Sequence, residues 1–347
     1  MARQGSSAKV TIAPAYRHTG GEWLRVSVAP YFVFVIQCPT RDSSIHGAIA
    51  LACSFGAAVN LGSAGEQRVV IAPSFAIPDE FVALCTEYSR LQKRVNIQVD
   101  ADSRSWRPPD QVGDRDPILL LSGGKDSAYA LRQWVTRKGC ENLRCLYVRG
   151  SGANIEFLDE ESSARKLARE SKRQLIVQEA HAASYTSLGL NVRLRSIWRE
   201  FLLIAMGRSL SDRVITGITY EPLLHEVGRD LAQVDGAFVN FAISWIGLEY
   251  MRTVLGCEIE LTEAEMEIYR RCTEMEESRS CLNPLGKCDT DADWNRACAK
   301  CKTFYVYKLL LAGMKLGKRE LGFVRSNHWM GEYAIRAEIM AREHEGV

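Results

Sequence analysis

No apolar run in this sequence approaches the roughly 20 residues that a membrane-spanning helix needs. The first residues, Met1–Lys9, also lack the basic-then-apolar order of a secretory leader. A formal net charge of +2 supplies no strong field, which argues against general nucleic-acid binding and against an anionic membrane surface. No internal repeat or low-complexity tract stands out. What is present is the composition of a folded protein: 347 residues, 46% hydrophobic and 25% charged, enough for one large or two ordinary domains. The 11 cysteines are odd in number and scattered, which suits a reducing compartment better than a disulfide framework, so the expected location is the cytoplasm. Nothing in the composition bears on oligomeric state.

Between Trp23 and Gln37 the β-branched and aromatic residues predict one or two strands broken at Pro30. Ala48–Ala58 is an apolar run of helix length, and Pro78–Arg94 carries Phe81, Leu84, Cys85, Tyr88 and Leu91 at amphipathic helix spacing. These predict a smaller N-terminal α+β domain over residues 1–112, ending in the polar, proline-containing stretch Asp100–Asp116 as a linker. Beyond it, the apolar runs Ile118–Leu121, Leu143–Val148, Gln174–Val177 and Val214–Ile218 alternate with helical patterns. That alternation predicts an α/β domain with a doubly wound parallel sheet over residues 113–320. Thr262-Glu263-Ala264-Glu265 has capping-box form ahead of a helix, Phe304–Met314 is a further helical run, and 321–347 is an amphipathic tail.

The chemistry-bearing stretch is Ser122-Gly123-Gly124-Lys125-Asp126-Ser127, which follows the strand Ile118–Leu121 and opens a helix carrying Ala130, Leu131, Trp134 and Val135. Two glycines let backbone amides approach an anion closely. The helix start adds partial positive charge, and Ser122, Lys125 and Ser127 add donors. Such a nest suits pyrophosphate. The spacing G-x-x-x-x-G-K-[ST] of nucleotide hydrolases is absent, as is the dinucleotide pattern G-x-G-x-x-G. A plain glycine turn with a Ser/Asp-rich cap is the structural alternative.

A second constellation is Cys281, Cys288, Cys298 and Cys301, with C-x₂-C at its end. Four thiolates can close a tetrahedral structural zinc site, whereas buried cysteines without metal or a redox pair at Cys298 and Cys301 are the other readings. The remaining cysteines, Cys38, Cys53, Cys85, Cys140, Cys145, Cys257 and Cys272, lie mostly in apolar periodic segments and are expected in the core.

The loop resembles the PP-loop of the ATP pyrophosphatase superfamily, whose members bind ATP and cut between its α and β phosphates. The resemblance implies a HUP-like sheet, Asp126 near the phosphates and Mg²⁺, catalytic roles for Lys125 and Asp126, and a nucleotide site of Ser122–Ser127 with Val148 and Gly217. With the late cysteines the chain resembles the 7-cyano-7-deazaguanine synthases. It is more similar still to the MurL-type epimerases, which invert a terminal L-glutamate on a UDP-muramoyl dipeptide. That similarity rests on Ala48–Val99, Ser122–Ser127, Val239–Tyr250 and Arg279–Phe304. Asn295 stands where the epimerase pattern has a cysteine, and Cys288 is the candidate replacement.

The resemblance implies ATP, Mg²⁺ and Zn²⁺ as cofactors and a small-molecule or peptide carboxylate as substrate. His225 and Glu226, in the polar stretch after Val214–Ile218, are the candidate base pair, since parallel-sheet proteins place substrate groups at the carboxyl ends of strands. Asp230, Asn240 and Glu249 are weaker candidates. Arg193, Arg195 and Arg199 could clamp a carboxylate or form a solvated basic face, and Asn327-His328-Trp329 is either a lid element or surface. Two competing functions remain at this level: insertion of nitrogen or sulfur into an adenylated base or acid, and nucleotide sensing without turnover.

Overall fold

The structure, a computed structural model, describes residues 6–15, 22–63, 68–92, 95–100, 106–110, 116–137, 140–150, 157–184, 196–219 and 248–262. In the C-terminal part it describes 288, 290–297, 302, 305–306, 308–310 and 312–326.

The hydrophobic run after residue 43 becomes α1 (Ser43–Ser63), longer than the apolar stretch alone predicts, because Asp42 Oδ1 accepts the amide of Ser44 at 2.7 Å and caps it early. The break expected at Pro30 separates β2 (Trp23–Ala29) from β3 (Phe32–Gln37), joined by a turn in which Tyr31 N donates to Val28 O. The amphipathic pattern after Pro78 is α2 (Asp79–Gln92). Three further strands complete this half: β1 (Ser6–Ala15), β4 (Arg68–Pro73) and β5 (Asn96–Val99).

The four apolar runs of the second half are β6 (Ile118–Leu120), β7 (Arg144–Arg149), β8 (Leu175–Ser184) and β9 (Arg213–Thr219), followed by β10 (Glu258–Thr262). Between them run α3 (Lys125–Val135), α4 (Phe157–Glu170) and α5 (Ser196–Arg208). Thr262, read from sequence as a helix cap, ends β10 and donates its hydroxyl to Thr216 O at 2.6 Å; the rest of that pattern lies outside the described residues.

The ten described strands form one sheet in the order β10-β9-β6-β7-β8-β3-β2-β1-β4-β5. From β10 to β8 every pairing is parallel, and so are β1 with β4 and β4 with β5. β8–β3, β3–β2 and β2–β1 are antiparallel. The fold is therefore α/β on a large, mostly parallel sheet. β8 joins the halves: it is long enough to pair with β7 through Cys145↔Leu175 to Arg149↔Glu179 and then with β3 through Ile36↔Ala180 to Phe32↔Ser184. The strands expected in an N-terminal α+β domain thus extend the same sheet.

Within the second half, α3 and α4 bury Ala128, Leu131, Trp134, Ala164 and Leu167 with Leu119, Cys145, Tyr147 and Ile215 on one face. α5 buries Phe201, Ile204 and Ala205 on the other face, in a core shared with α1. Helices on both faces of a parallel sheet make this half compatible with a doubly wound fold. Arg208, fully buried, ties the linker to the second half. Its guanidinium donates to Leu255 O at 2.9 Å and Asp110 O at 2.8 Å and pairs with Asp212. The described part of the linker is held at two points: the Trp106 ring lies over Gly47 of α1, and Ser211 donates to Asp116 O at 2.7 Å.

Candidate functional site

In the parallel half, β6 is flanked by β7 on one side and β9 on the other, so the strand order reverses at β6. The crevice at the carboxyl end of a parallel sheet opens where the order reverses, and ligands of such sheets bind there. The turn after β6 is Ser122–Gly124, the glycine turn singled out from sequence.

Leu121 continues the strand, its amide donating to Leu146 O of β7 at 2.9 Å. Gly123 then takes φ +80°, the left-handed region that favours glycine, and a Cβ there would lie 2.6 Å from Glu160 O and 2.9 Å from Ser163 Cβ of α4. Conformation and space both require glycine. Gly124 is the extended N-cap of α3 and, as a glycine, brings no side chain of its own to cap it. The amides of its first turn meet β9 at Gly217, where a Cβ would come within 3.2 Å of Ser127 N. The turn is thus held between α4 and β9, at the positive end of the α3 dipole.

Two serines organise the turn from within. Ser127 Oγ accepts from Ser122 N at 3.2 Å and donates to Gly124 O at 3.1 Å, and Ser122 Oγ accepts from Gly124 N at 3.3 Å. Lys125 is the first helical residue, and Asp126, half-buried, follows in the first turn. Asp126 offers hard oxygen donors beside the glycine turn, the donor type Mg²⁺ takes. Val148, next to last in β7, buries its side chain in the large core at 6% exposure, so only its backbone is open to a ligand role. Gly217 is the expected residue that the structure brings directly against the turn.

His225, Glu226, Asp230 and Asn240 lie outside the described residues, as do Arg193, Arg195 and the tail motif Asn327–Trp329. Arg199 lies within α5, but its side chain is outside the description. Glu249 is on the surface of a helical segment over 248–255 and pairs with Arg252 at 2.6 Å. Of the proposed zinc ligands, Cys281, Cys298 and Cys301 lie outside the described residues. Cys288 is fully buried in a small third core with Trp294, Val306, Leu310 and Phe323. Arg319 donates to its carbonyl at 3.2 Å and stacks 4.7 Å from the Trp294 ring centroid. Among the described residues no group of three metal-ligating side chains comes together.

Of the cysteines expected in the core, Cys272 lies outside the described residues. Cys38, Cys53, Cys85, Cys140 and Cys145 are buried and Cys257 is half-buried. Burial pushes the Cys38 thiol up to about 11 and those of Cys145 and Cys257 to about 12, and it raises Cys53, Cys85 and Cys140 as well. None of these is a ready nucleophile at neutral pH.

Sequence reasoning missed an ionic network beside the turn. Arg149, at the end of β7, bridges Glu161 of α4 at 2.8 Å and Glu179 of β8 at 2.9 Å, and Arg165 also binds Glu161 at 2.7 Å. The Arg149 and Arg165 hydrogen bonds hold the Glu161 carboxyl at about 2. Glu161 follows the residue whose carbonyl crowds Gly123, so the network fixes the start of α4 against the glycine turn. The pairs join residues distant in sequence, so only the spacing of Glu161 and Arg165 was visible in advance.

No family model matches the chain, and neither a curated protein nor a solved structure matches it.

Proposed function

We propose that the chain is an adenylating enzyme of PP-loop type, which binds ATP at residues 122–127 and cleaves it to AMP and pyrophosphate while activating a substrate carboxylate. The observation that carries this reading is the place of the glycine turn. It lies where the strand order reverses, with the first turn of α3 opposite the side-chain-free Gly217. The resemblance of Ser122–Ser127 to the PP-loop supplies the nucleotide and the scissile bond.

In this reading the amides around Gly124 and the hydroxyls of Ser122 and Ser127 hold the β and γ phosphates, and Lys125 adds charge. Mg²⁺ beside Asp126 would offset the phosphate charge. A carboxylate oxygen of the substrate attacks the α phosphorus, the bond from that phosphorus to the bridging oxygen breaks, and pyrophosphate leaves. The acyl-adenylate has lost the carboxylate charge, so its α-proton becomes acidic enough for a side-chain base to remove. Return of the proton on the opposite face inverts the centre, and hydrolysis releases AMP. A glutamyl peptide or related acid is the proposed substrate, with His225 or Glu226 as the base. Cys281, Cys288, Cys298 and Cys301 would hold a structural Zn²⁺, for which the buried setting of Cys288 is suitable.

The test is pyrophosphate release from ATP and Mg²⁺ over a panel of acids, with L-glutamyl peptides run in D₂O. The expected result is pyrophosphate together with deuterium at the α-carbon. AMP formation without exchange rules out epimerisation, ammonia- or sulfide-dependent product would assign heteroatom insertion, and nucleotide binding without turnover would overturn the enzyme reading.

A further inference from the structure

β8 outruns its neighbour. Its last pairing with β7 is Arg149↔Glu179, and it continues to Ser184 against β3, so His181 stands beyond the carboxyl end of β7. Side chains two apart on a strand share a face. Glu179 and His181 therefore lie on the side that carries α3 and α4, where Val177 packs into their core. The same side continues into the open face of β1–β5, which α1 and α2, packed on the other side, leave uncovered.

Three neighbours define the setting of this imidazole. Its Nε2 lies 3.2 Å from Glu179 Oε2, and the ring runs nearly parallel to that of Trp23, at 17° with centroids 6.3 Å apart. The third is Gly150, with φ +77°, where a Cβ would come 2.9 Å from His181 Nδ1 and 2.6 Å from Ala180 O. Glycine keeps a side chain off Nδ1, and among the described residues nothing hydrogen-bonds to that nitrogen. The side chain is 54% exposed. With Glu179 ionised, Nε2 donates to it, which leaves Nδ1 to take up or deliver a proton. One nitrogen held by a carboxylate and the other accessible is the arrangement of an acid–base histidine.

His181 is also tied to the glycine turn. Glu179 Oε1 accepts from Arg149 at 2.9 Å, Arg149 binds Glu161 at 2.8 Å, and Glu161 adjoins the residue whose carbonyl presses on Gly123. Leu120 is level with Leu146, and Leu146 with Ile176. His181 is five residues past Ile176 and Ser122 is two past Leu120, so His181 stands three residues further along and two strands away. That is roughly 10 Å along the sheet and about 10 Å across it, or ~14 Å between the two Cα positions. An acyl-adenylate whose pyrophosphate leaves at the turn, with its acyl group directed toward β8, spans part of this distance and the imidazole the rest.

We propose that His181 is a second acid–base residue of the reaction, with Glu179 as its positioning residue. This role rests on the adenylating reading above, and it answers a need of inversion: a proton must leave from one face and return on the other. The base on the first face, His225 or Glu226, takes the α-proton, and the C–H electron pair passes into the enolate of the acyl-adenylate. Protonated His181 gives its Nδ1 proton to the α-carbon from the opposite face, and the pair returns to form the new C–H bond. The first base ends protonated and His181 neutral, and both re-equilibrate with water.

The test runs wild type, H181N and E179Q in D₂O with ATP, Mg²⁺ and either alanyl-L-glutamate or alanyl-D-glutamate, reading pyrophosphate, α-deuterium and inversion in the same samples. In H181N the inverted product formed per pyrophosphate released should fall at least a hundredfold, general acid–base catalysis being worth about 10²–10⁴-fold. One epimer, and only one, should still exchange its α-proton without inverting, because the base on the other face survives. E179Q should lower the same ratio and move the pH profile of inversion, which a merely structural carboxylate would not do. Circular dichroism checks that both variants keep the fold. An unchanged ratio in H181N overturns the proposal, as does exchange lost from both epimers or kept in both. Wild-type protein that releases no pyrophosphate with any acid would remove the adenylating reading, and this role with it, before any variant is compared.

Discussion

Gly217 of β9 lies so close to Ser127, in the first turn of α3, that a Cβ would stand 3.2 Å from the Ser127 amide nitrogen. Its neighbour there is backbone, which cannot rotate away, so G217A must shift either β9 or the start of α3. Such overpacking costs about 1–3 kcal/mol, and here it falls on the amides proposed to hold phosphate. Calorimetric titration with ATP and Mg²⁺ should show at least tenfold weaker binding in G217A and none in G217V, while both retain the native circular dichroism spectrum. Unchanged affinity in both would remove this turn from the nucleotide site.

Gly123 and Gly313 separate two costs. Both have positive φ, +80° and +69°, but a Cβ at 123 would meet Glu160 O at 2.6 Å whereas one at 313 would meet nothing within 4 Å. G313A should lose only the left-handed penalty, ~1–2 kcal/mol. G123A should lose that and a further steric term of about 1–3 kcal/mol. Urea unfolding of the two variants measures the difference directly; equal losses would mean that α4 does not press on the turn.

Arg208 makes the contacts that tie 106–110 and 248–255 to α5. R208A removes the donor to the Leu255 and Asp110 carbonyls and the fully buried guanidinium that pairs with Asp212, and the loss expected for breaking such a pair is about 3–5 kcal/mol. R208M keeps much of the volume and should recover only the packing part. Denaturant midpoints of the two variants decide how much of the effect is charge.

Much of the parallel half was legible because its strands are buried on both faces and read as short apolar runs, as Leu143–Val148 does. β1 and β5 were not. Lys9, Thr11, Asn96 and Gln98 point to the open face, so only every second residue is apolar and the run is too short to stand out. The single sheet was not legible at all, since it depends on Ile36 meeting Ala180, a pairing no local pattern encodes. At the site, Ser122–Ser127 was visible as a motif. The reasons for its glycines were not, because they lie in Glu160, Ser163 and Ser127, which only the folded chain brings up to Gly123 and Gly217.

Glu161 should mark the acid limit of the fold. Its carboxyl is held at about 2, against an ordinary value of 4.5, mainly by its hydrogen bonds to Arg149 and then Arg165. A lowered folded-state value means that the stabilisation is fully present above the ordinary carboxylate range and is lost as pH falls from about 4.5 toward 2. Both arginines are about half exposed, so screening reduces the effect to on the order of 1–2 kcal/mol. Urea midpoints at pH 6, 4 and 3 should fall more steeply for the wild type than for E161Q. Parallel profiles would show that the network adds no pH-dependent stability.

The buried thiols give the last prediction, which also bears on sulfur transfer. Cys53 and Cys85 are fully buried and have their thiol titrations raised by desolvation alone or nearly so, and Cys145 is held at about 12. The thiolate is the reacting form, so each should be inert both by access and by protonation. Brief treatment of the native protein with iodoacetamide at pH 8, followed by peptide mass spectrometry, should leave Cys53, Cys85 and Cys145 unmodified and alkylate them only after urea. Replacing each by alanine should lower stability by about 1–2 kcal/mol for the lost packing without altering pyrophosphate release per folded molecule. If alanine at one of them abolished turnover while the fold survived, that cysteine would be a sulfur carrier and the adenylate would be thiolated, because a buried thiol that only packs has no step to perform.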